Sequence, residues 1–538
     1  MSRMLIYMTP FVLLLIPLGI TIKNHKDSKI LKVVEQNIKR IKLIWLFVIE
    51  WILATASVLS GLRYLSYWWD DRKFSIVSLI LISIVSLILI VVFVYIFCVY
   101  FYYIFKRMKD RIDLLFVLFM IPIGISFMFV MLPDYVPDEQ SHFQRAYLIS
   151  NLNIKTIKEV YIDSDYGIQK LKSYAEVFNN FGFNFHPTYT LFEEASNYNA
   201  LVYLVPGIAL GLGKILHLSL YTCYYLGRMA NLALFISVVS YSIKITPRLK
   251  NVFFVFCFNP MLIQLAASYS SDCSIIAACI LSVAYFLYLF DKKKIETKDI
   301  VIVCSLIIFI LLVKYVYLPI FGIYFGVIPK LLHISKKQVK LIIIFILSAM
   351  FLLLISNYLK KDMTVSEAFK VYYKTAHVDS GKQIQFLLED KMNIFRMLYH
   401  TILEKKDFYI STMVSNLGWL AIQIPKLSYH LFFVSMIFAT CTESVKHKLC
   451  NRFWYICIVV IEVTLIILGM YLYWTTVGSF VTEGVQGRYF LPLVLLLCVA
   501  LSNGLLNKFN RIYYFIPFII LVDIPTIYSI IHFFNIVI

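Results

Sequence analysis

The sequence predicts an all-α polytopic membrane protein, and three observations carry that prediction. Of its 538 residues, 61% are hydrophobic and 15% are charged, and the mean hydropathy is +0.80, too apolar for a soluble chain of this length. Apolar runs of about 20 residues, enough to cross a bilayer as a helix, recur along the chain. Between them lysines and arginines gather in short loops, so the formal charge of +19 is a topology signal and speaks against a nucleic-acid surface. The ten cysteines are scattered, almost all in apolar segments and without CxxC spacing, which supports neither a disulfide framework nor a zinc site.

Taken in order, Met4 to Thr21, Leu43 to Gly61 and Phe74 to Phe105 read as three spans of an N-terminal extension, 1–107. The first has no small-residue cleavage site and is expected to be retained. Residues 108–538 read as one transmembrane domain with two large loops, 133–220 and 359–428. Its expected spans are Leu114 to Leu132, Tyr221 to Ile243, Val252 to Ser268, Ser274 to Phe290, Leu341 to Tyr358, Leu431 to Thr440, Phe453 to Trp474, Phe490 to Leu506 and Tyr513 to Phe534. Ile300 to Leu332 is too long for one crossing at about 1.5 Å per residue and is read as two short helices turning near Lys314. In Leu201 to Leu218, Pro206, Gly207, Gly211 and Gly213 favour a re-entrant or juxtamembrane hairpin that makes no net crossing. About fourteen crossings result, with both termini outside. The basic clusters then share the cytoplasmic side, including Lys106 to Arg111, Lys292 to Lys294 and Lys446 to Arg452.

That parity brings four polar groups to the outer surface. The first is PDYVPDEQSHFQR, Pro133 to Arg145. If Asp138 opens a helix, Asp138, His142 and Arg145 share one face and Glu139 lies three residues before His142, so that one turn presents an acid, a base and a cation. Pro137 and the two acids suit a helix N-terminus. The others are SYSSD ending at Asp272, Lys314 among tyrosines, and TEGVQGRY with Gln486, Arg488 and Tyr489. Each has an ordinary structural explanation: Asp272 as a helix cap, Lys314 snorkelling, Arg488 anchoring at the interface. Together they suggest an anionic substrate, with Arg488 and Lys314 holding a lipid phosphate while Asp138 or Glu139 takes a proton from an attacking hydroxyl.

The succession PDEQSHFQRA, YLVPGIALGLGKILHLSLYTCYYLGRMANL, FNPMLIQLAASYSSD, LVKYVYLP and EGVQGRYFLPL resembles the bacterial membrane family known as domain of unknown function 2142, over approximately Leu114 to Phe534. That family in turn resembles the C-type integral-membrane glycosyltransferases. The resemblance implies a glycosyltransferase C-like fold at the bacterial cell membrane, with the active site facing outside. It implies a polyprenyl-phosphate-linked sugar as donor, a cell-surface polysaccharide or lipid-linked glycan as acceptor, and a catalytic acid in the first large outer loop, here Asp138 or Glu139. His142, Arg145, Asp272, Lys314, Gln486, Arg488 and Tyr489 become substrate-binding candidates. Some such relatives hold a divalent cation, Mg or Mn, with their acids, and no complete ligand set for one is legible here. A flippase for a lipid-linked sugar and a polysaccharide polymerase or ligase are the rival readings; a flippase would more often show inverted repeats and charges at the bilayer midplane.

Overall fold

The computed structural model describes residues 110–152, 199–327, 335–360, 367–445 and 447–537. The chain divides into two compact units, 1–126 and 127–538. The three spans expected within 1–107 lie outside the described residues. The second unit contains everything that bears on the site.

Among the described residues, seven helical stretches are long and apolar enough to cross a membrane: Ile112–Val130 (α1), Leu220–Ile245 (α4), Ser271–Asp291 (α7), Thr297–Val327, Lys336–Leu354, Leu449–Trp474 (α14) and Ile512–Phe534. Shorter helices lie between them: Glu139–Ser150 (α2), Leu204–Ile215 (α3), Lys250–Cys257 (α5) and Pro260–Ala266 (α6). Thr297–Lys314 (α8) is α-helical and Tyr315–Val327 is a 3-10 helix. After Lys336–Lys360 (α9) come Glu367–Thr375 (α10), Ser380–Glu389 (α11) and Met392–Val414 (α12). Asn416–Leu417 (β1) and Ile422–Gln423 (β2) form a small antiparallel ribbon. Lys426–Thr442 (α13), α14, Leu491–Leu501 (α15) and Ile516–Val537 (α16) complete the second unit.

Side-chain pairings sort the helix ends into two sets. At one end Arg248 meets Asp291 at 3.1 Å, the Leu249 N–H donates to Glu443, Asn251 meets Asn510, and Arg452 donates to the Ser502 carbonyl. The basic loops around Arg248, Lys292 and Arg452 meet here. At the other end Asn231 donates to the Ser268 carbonyl, Lys314 meets Asp272, and the Tyr317 hydroxyl donates to the Tyr489 carbonyl. Asp272 and Asp291 stand nineteen residues apart on α7, about 28 Å of helix, close to the thickness of a bilayer's hydrocarbon core.

The expected turn at Lys314 is present. Although Thr297–Val327 is one continuous, mainly apolar helical stretch, Lys314 lies at the site end, whereas the Tyr324 hydroxyl reaches back to the Ser282 carbonyl midway along α7, so the 3-10 segment descends beside α8. The expected span Val252 to Ser268 needs correction: it is two short helices, α5 and α6. Asn259 has extended dihedrals and caps α6 through bonds from Met261 and Leu262, with Pro260 at its first position. Proline disfavours helical dihedrals in the preceding residue, which breaks the helix there. The segment 201–218 behaves as the sequence suggests. The turn 216–219 folds α3 back onto α4, and α3 runs alongside α2, with Tyr203 beside His142 and Lys214 beside Ser150. Both ends of this excursion therefore stay on the site side of Arg228.

Candidate functional site

The site begins with a buried ion pair that holds the acidic motif in place. Arg228, two turns inside α4, directs all its donors at acceptors. Nε and Nη2 meet the two Glu139 carboxylate oxygens at 2.8 and 2.6 Å, Nη1 donates to the Met128 and Met131 carbonyls, and Nη2 also reaches that of Leu132. The carbonyls belong to the C-terminal end of α1, where a cation also complements the helix dipole. Glu139 further accepts the Tyr269 N–H. Both side chains are 0% exposed. Glu139, one of the two candidate bases, is thus a structural anchor with both oxygens occupied, and its role as base is withdrawn. Arg228 escaped the sequence-based selection, although an arginine within an apolar span is itself a signal.

Asp138 also departs from expectation. It does not lie within the first turn of a helix: α2 starts at Glu139, and Asp138 precedes it in the left-handed region, φ 61°, with no side-chain cap bond. Aspartate tolerates this conformation better than most residues. The twist carries Asp138 away from the buried face of Glu139, His142 and Arg145, and its side chain remains 49% exposed.

Four chain segments then converge. Arg488 lies on a short 3-10 turn, Gly487–Phe490. Its Nη2 is 3.8 Å from the Asp138 carboxylate and its Nε is 3.9 Å from that of Asp272. These are charge contacts too long for hydrogen bonds. Lys314 binds the other Asp272 oxygen at 3.0 Å. The Tyr489 ring lies under both cations, 4.9 Å from Lys314 Nζ and 5.4 Å from the Arg488 guanidinium carbon, within cation–π range. Each ordinary explanation loses ground: Ser270, not Asp272, supplies the cap; Lys314 has an anionic partner; and Arg488 is only 6% exposed. Buried Arg488 Nε has no hydrogen-bond partner among the described residues.

His142 and Arg145 are buried on α2. His142 Nδ1 shares a 2.6 Å hydrogen bond with the Tyr203 hydroxyl. Burial, the largest influence, pulls the imidazole down to about 3; Asp272 opposes this, and Arg488 and Lys314 reinforce it. The ring is therefore neutral at physiological pH, a positioning group and not a third cation. Gln486 is half-buried, its carbonyl accepts the Tyr489 N–H, and its side chain makes no hydrogen bond among the described residues. It sits next to the cluster without joining it.

A divalent cation fits poorly here. Among the described residues there is no group of three or more His, Cys, Asp or Glu that could hold one. At the site, Asp138 and Asp272 both face the Arg488 guanidinium, at 3.8 and 3.9 Å, and Lys314 occupies the other Asp272 oxygen.

Gly487 sets the position of Arg488. Its N–H donates to the Thr412 hydroxyl at 2.7 Å, and a Cβ there would overlap the Tyr409 carbonyl and the Met413 nitrogen of α12. Backbone atoms cannot step aside as a flexible side chain can. Gly487→Ala is therefore expected to destabilise the fold by about 1–3 kcal/mol and to shift Arg488 off the cluster. Thermal unfolding of the purified variant checks this, and an unchanged midpoint would remove the clamp from the account.

A family profile described as a predicted membrane protein, DUF2142, matches residues 119–497. No curated protein and no solved structure matches the chain.

Proposed function

We propose that this chain, which belongs to the DUF2142 family of predicted membrane proteins, binds a lipid-linked phosphate at the Arg488–Lys314 cluster and transfers the attached sugar. In this reading it is a bacterial cell-membrane glycosyltransferase with about fourteen crossings and a glycosyltransferase C-like fold. Its site faces outside, where it takes a polyprenyl-phosphate sugar as donor and a cell-surface polysaccharide or lipid-linked glycan as acceptor.

One observation carries the reading. Arg488 is buried, is charge-neutralised by two aspartates at 3.8 and 3.9 Å, and yet has an Nε–H with no hydrogen-bond partner among the described residues. A buried guanidinium donor without an acceptor is costly, and a phosphate oxygen would satisfy it in a charge-assisted bond. Lys314, with 35% of its side chain exposed, adds a second cation at the same place.

The chemistry follows from the positions. Asp138, half-exposed at the rim, accepts the proton of an acceptor hydroxyl as that oxygen attacks the anomeric carbon. The bond from that carbon to the phosphate oxygen breaks, and the electron pair leaves with the phosphate, whose growing charge Arg488 and Lys314 offset. A single direct displacement inverts the anomeric centre. Asp272 keeps Lys314 oriented, and neutral His142 leaves the cluster without an extra charge.

The test is binding followed by turnover. Purified protein given a radiolabelled polyprenyl-phosphate sugar is expected to bind it, and Arg488→Lys, which keeps the charge and loses the planar fork, is expected to weaken binding about tenfold or more. Identical binding by parent and variant would overturn the phosphate assignment. Movement of the lipid-linked sugar across vesicle membranes with no chemical turnover would favour the flippase reading instead.

A further inference from the structure

The helices α11 and α12 leave one side uncovered among the described residues, and their exposed side chains are sorted by polarity. At about 100° per residue, α12 carries three stripes. Met397, Thr401 and Thr412 are buried, while Arg396, His400 and Glu404 form an exposed polar stripe. Phe395, Tyr399, Ile402 and Leu403, each at least 50% exposed, form a third stripe that is apolar. The pattern recurs on α11, where Gln383 and Leu387 are buried, Gln385 and Glu389 are exposed, and exposed Ile384 and Leu388 stand one turn apart on a side of their own. Open water gives a helix no reason to separate its exposed residues in this way. A hydrocarbon boundary does, with one side against protein, one in water and one among acyl chains.

The depth of these helices agrees with such a boundary. Leu387 and Met397 pack with Ile467 and Tyr471 of α14, and Gln383 donates to the Tyr471 carbonyl at 3.3 Å and accepts the Gly478 N–H. Ile467 stands seven residues before the end of α14 at Trp474, about 10 Å of helix. An interfacial helix buries its apolar face to about 5–10 Å. The uncovered side of the span also leads up to them: Ile461 and Leu465 of α14 are exposed, and Leu468, next on the same line, packs against the Leu387–Met397 cluster. Lys406 falls on the apolar stripe of α12, where a lysine lays its stem along hydrocarbon and its ammonium at the level of the headgroups.

From the three stripes, the depth and this continuity we infer that α11 and α12 are seated in the bilayer leaflet on the site side, with Phe395, Tyr399, Ile402 and Leu403 among acyl chains and Arg396, His400 and Glu404 toward water. The inference needs no ligand at the cation cluster and stands apart from the phosphate reading. Its consequence reaches the cluster all the same. The Thr412 hydroxyl of α12 holds Gly487, so the leaflet that seats α12 helps to set the position of Arg488.

The test uses the full chain in vesicles of phosphatidylcholine and phosphatidylglycerol containing a phospholipid with a photoreactive group midway along one acyl chain, and mass spectrometry to locate the label. Label is expected on Phe395, Tyr399, Ile402 and Leu403 and not on Arg396, His400 or Glu404. A water-soluble oxidising footprint applied to both faces is expected to modify His400 and to spare Phe395 and Tyr399. Phe395→Glu with Ile402→Glu, both at exposed positions, is expected to melt like the parent in detergent and to lose about tenfold or more of the acyl label on α12 in vesicles. Glu404→Gln, on the polar stripe, is expected to keep the label. The inference is overturned if the parent's stripe takes no acyl label, if water modifies Phe395 and Tyr399 as fully as His400, or if the doubly charged variant is labelled like the parent. Cross-linking of the stripe to a second copy of the chain in place of lipid would make it a protein interface and overturn it as well. Should the doubly charged variant fail to fold, the parent's labelling and footprint decide alone.

Discussion

Glu139→Gln is expected to lower the unfolding free energy by about 3–5 kcal/mol, the usual consequence of leaving one member of a buried ion pair without its partner. Arg228 has 0% side-chain exposure and no water to turn to, and its remaining acceptors, the Met128, Met131 and Leu132 carbonyls, are neutral. Arg228→Met should cost a similar amount, because it strands the carboxylate and leaves those carbonyls without their donor. The double variant Glu139→Gln with Arg228→Met should lose less than the two single losses together, since neither charge is then stranded. Thermal and denaturant unfolding in detergent measure all three. A Glu139→Gln protein with a parental midpoint would mean that the pair does not hold the motif, and the distinction between Glu139 as anchor and Asp138 as chemical group would collapse.

Asp138→Asn is expected to behave in the opposite way, folding and melting like the parent while transfer falls by about a hundred- to ten-thousandfold, the range for loss of a general base. The side chain is 49% exposed, and the isosteric amide keeps its shape and its capacity to accept hydrogen bonds, so the fold is expected to tolerate the change. Removing a negative charge 3.8 Å from Arg488 should leave donor binding intact or strengthen it. The measurements are product formation from a radiolabelled polyprenyl-phosphate sugar and, separately, donor binding. Undiminished transfer would end the assignment of Asp138 as base. Loss of donor binding in parallel with turnover would make Asp138 a binding group.

The two adjacent acids show how far sequence reasoning reaches. The motif PDEQSHFQR stood out because its charges follow directly after an apolar run, and the structure does bring Asp138, Asp272, Lys314, Arg488 and Tyr489 together. Which acid faces the cluster was not legible. It depends on a single left-handed residue at Asp138 and on Arg228, eighty-nine positions away from Glu139. The same limit explains Asp272, whose ordinary alternative role as a helix cap falls to Ser270, and Gln486, which neighbours Arg488 in sequence but has no hydrogen bond to the cluster among the described residues.

By itself the sequence determined the membrane character, the long apolar helices among the described residues, the turn at Lys314 and the meeting of the loops around Arg248, Lys292 and Arg452 at one end. These follow from hydropathy, helix rise and loop charge, which act locally and additively along the chain. Only the tertiary structure decided that Glu139 is sealed against Arg228, that Val252 to Ser268 is interrupted at Asn259 and Pro260, and that Arg488 is pressed into place by α12 against Gly487. Those outcomes depend on which distant groups satisfy a buried charge or fill the space beside a backbone. Short-range patterns carry no record of such partners.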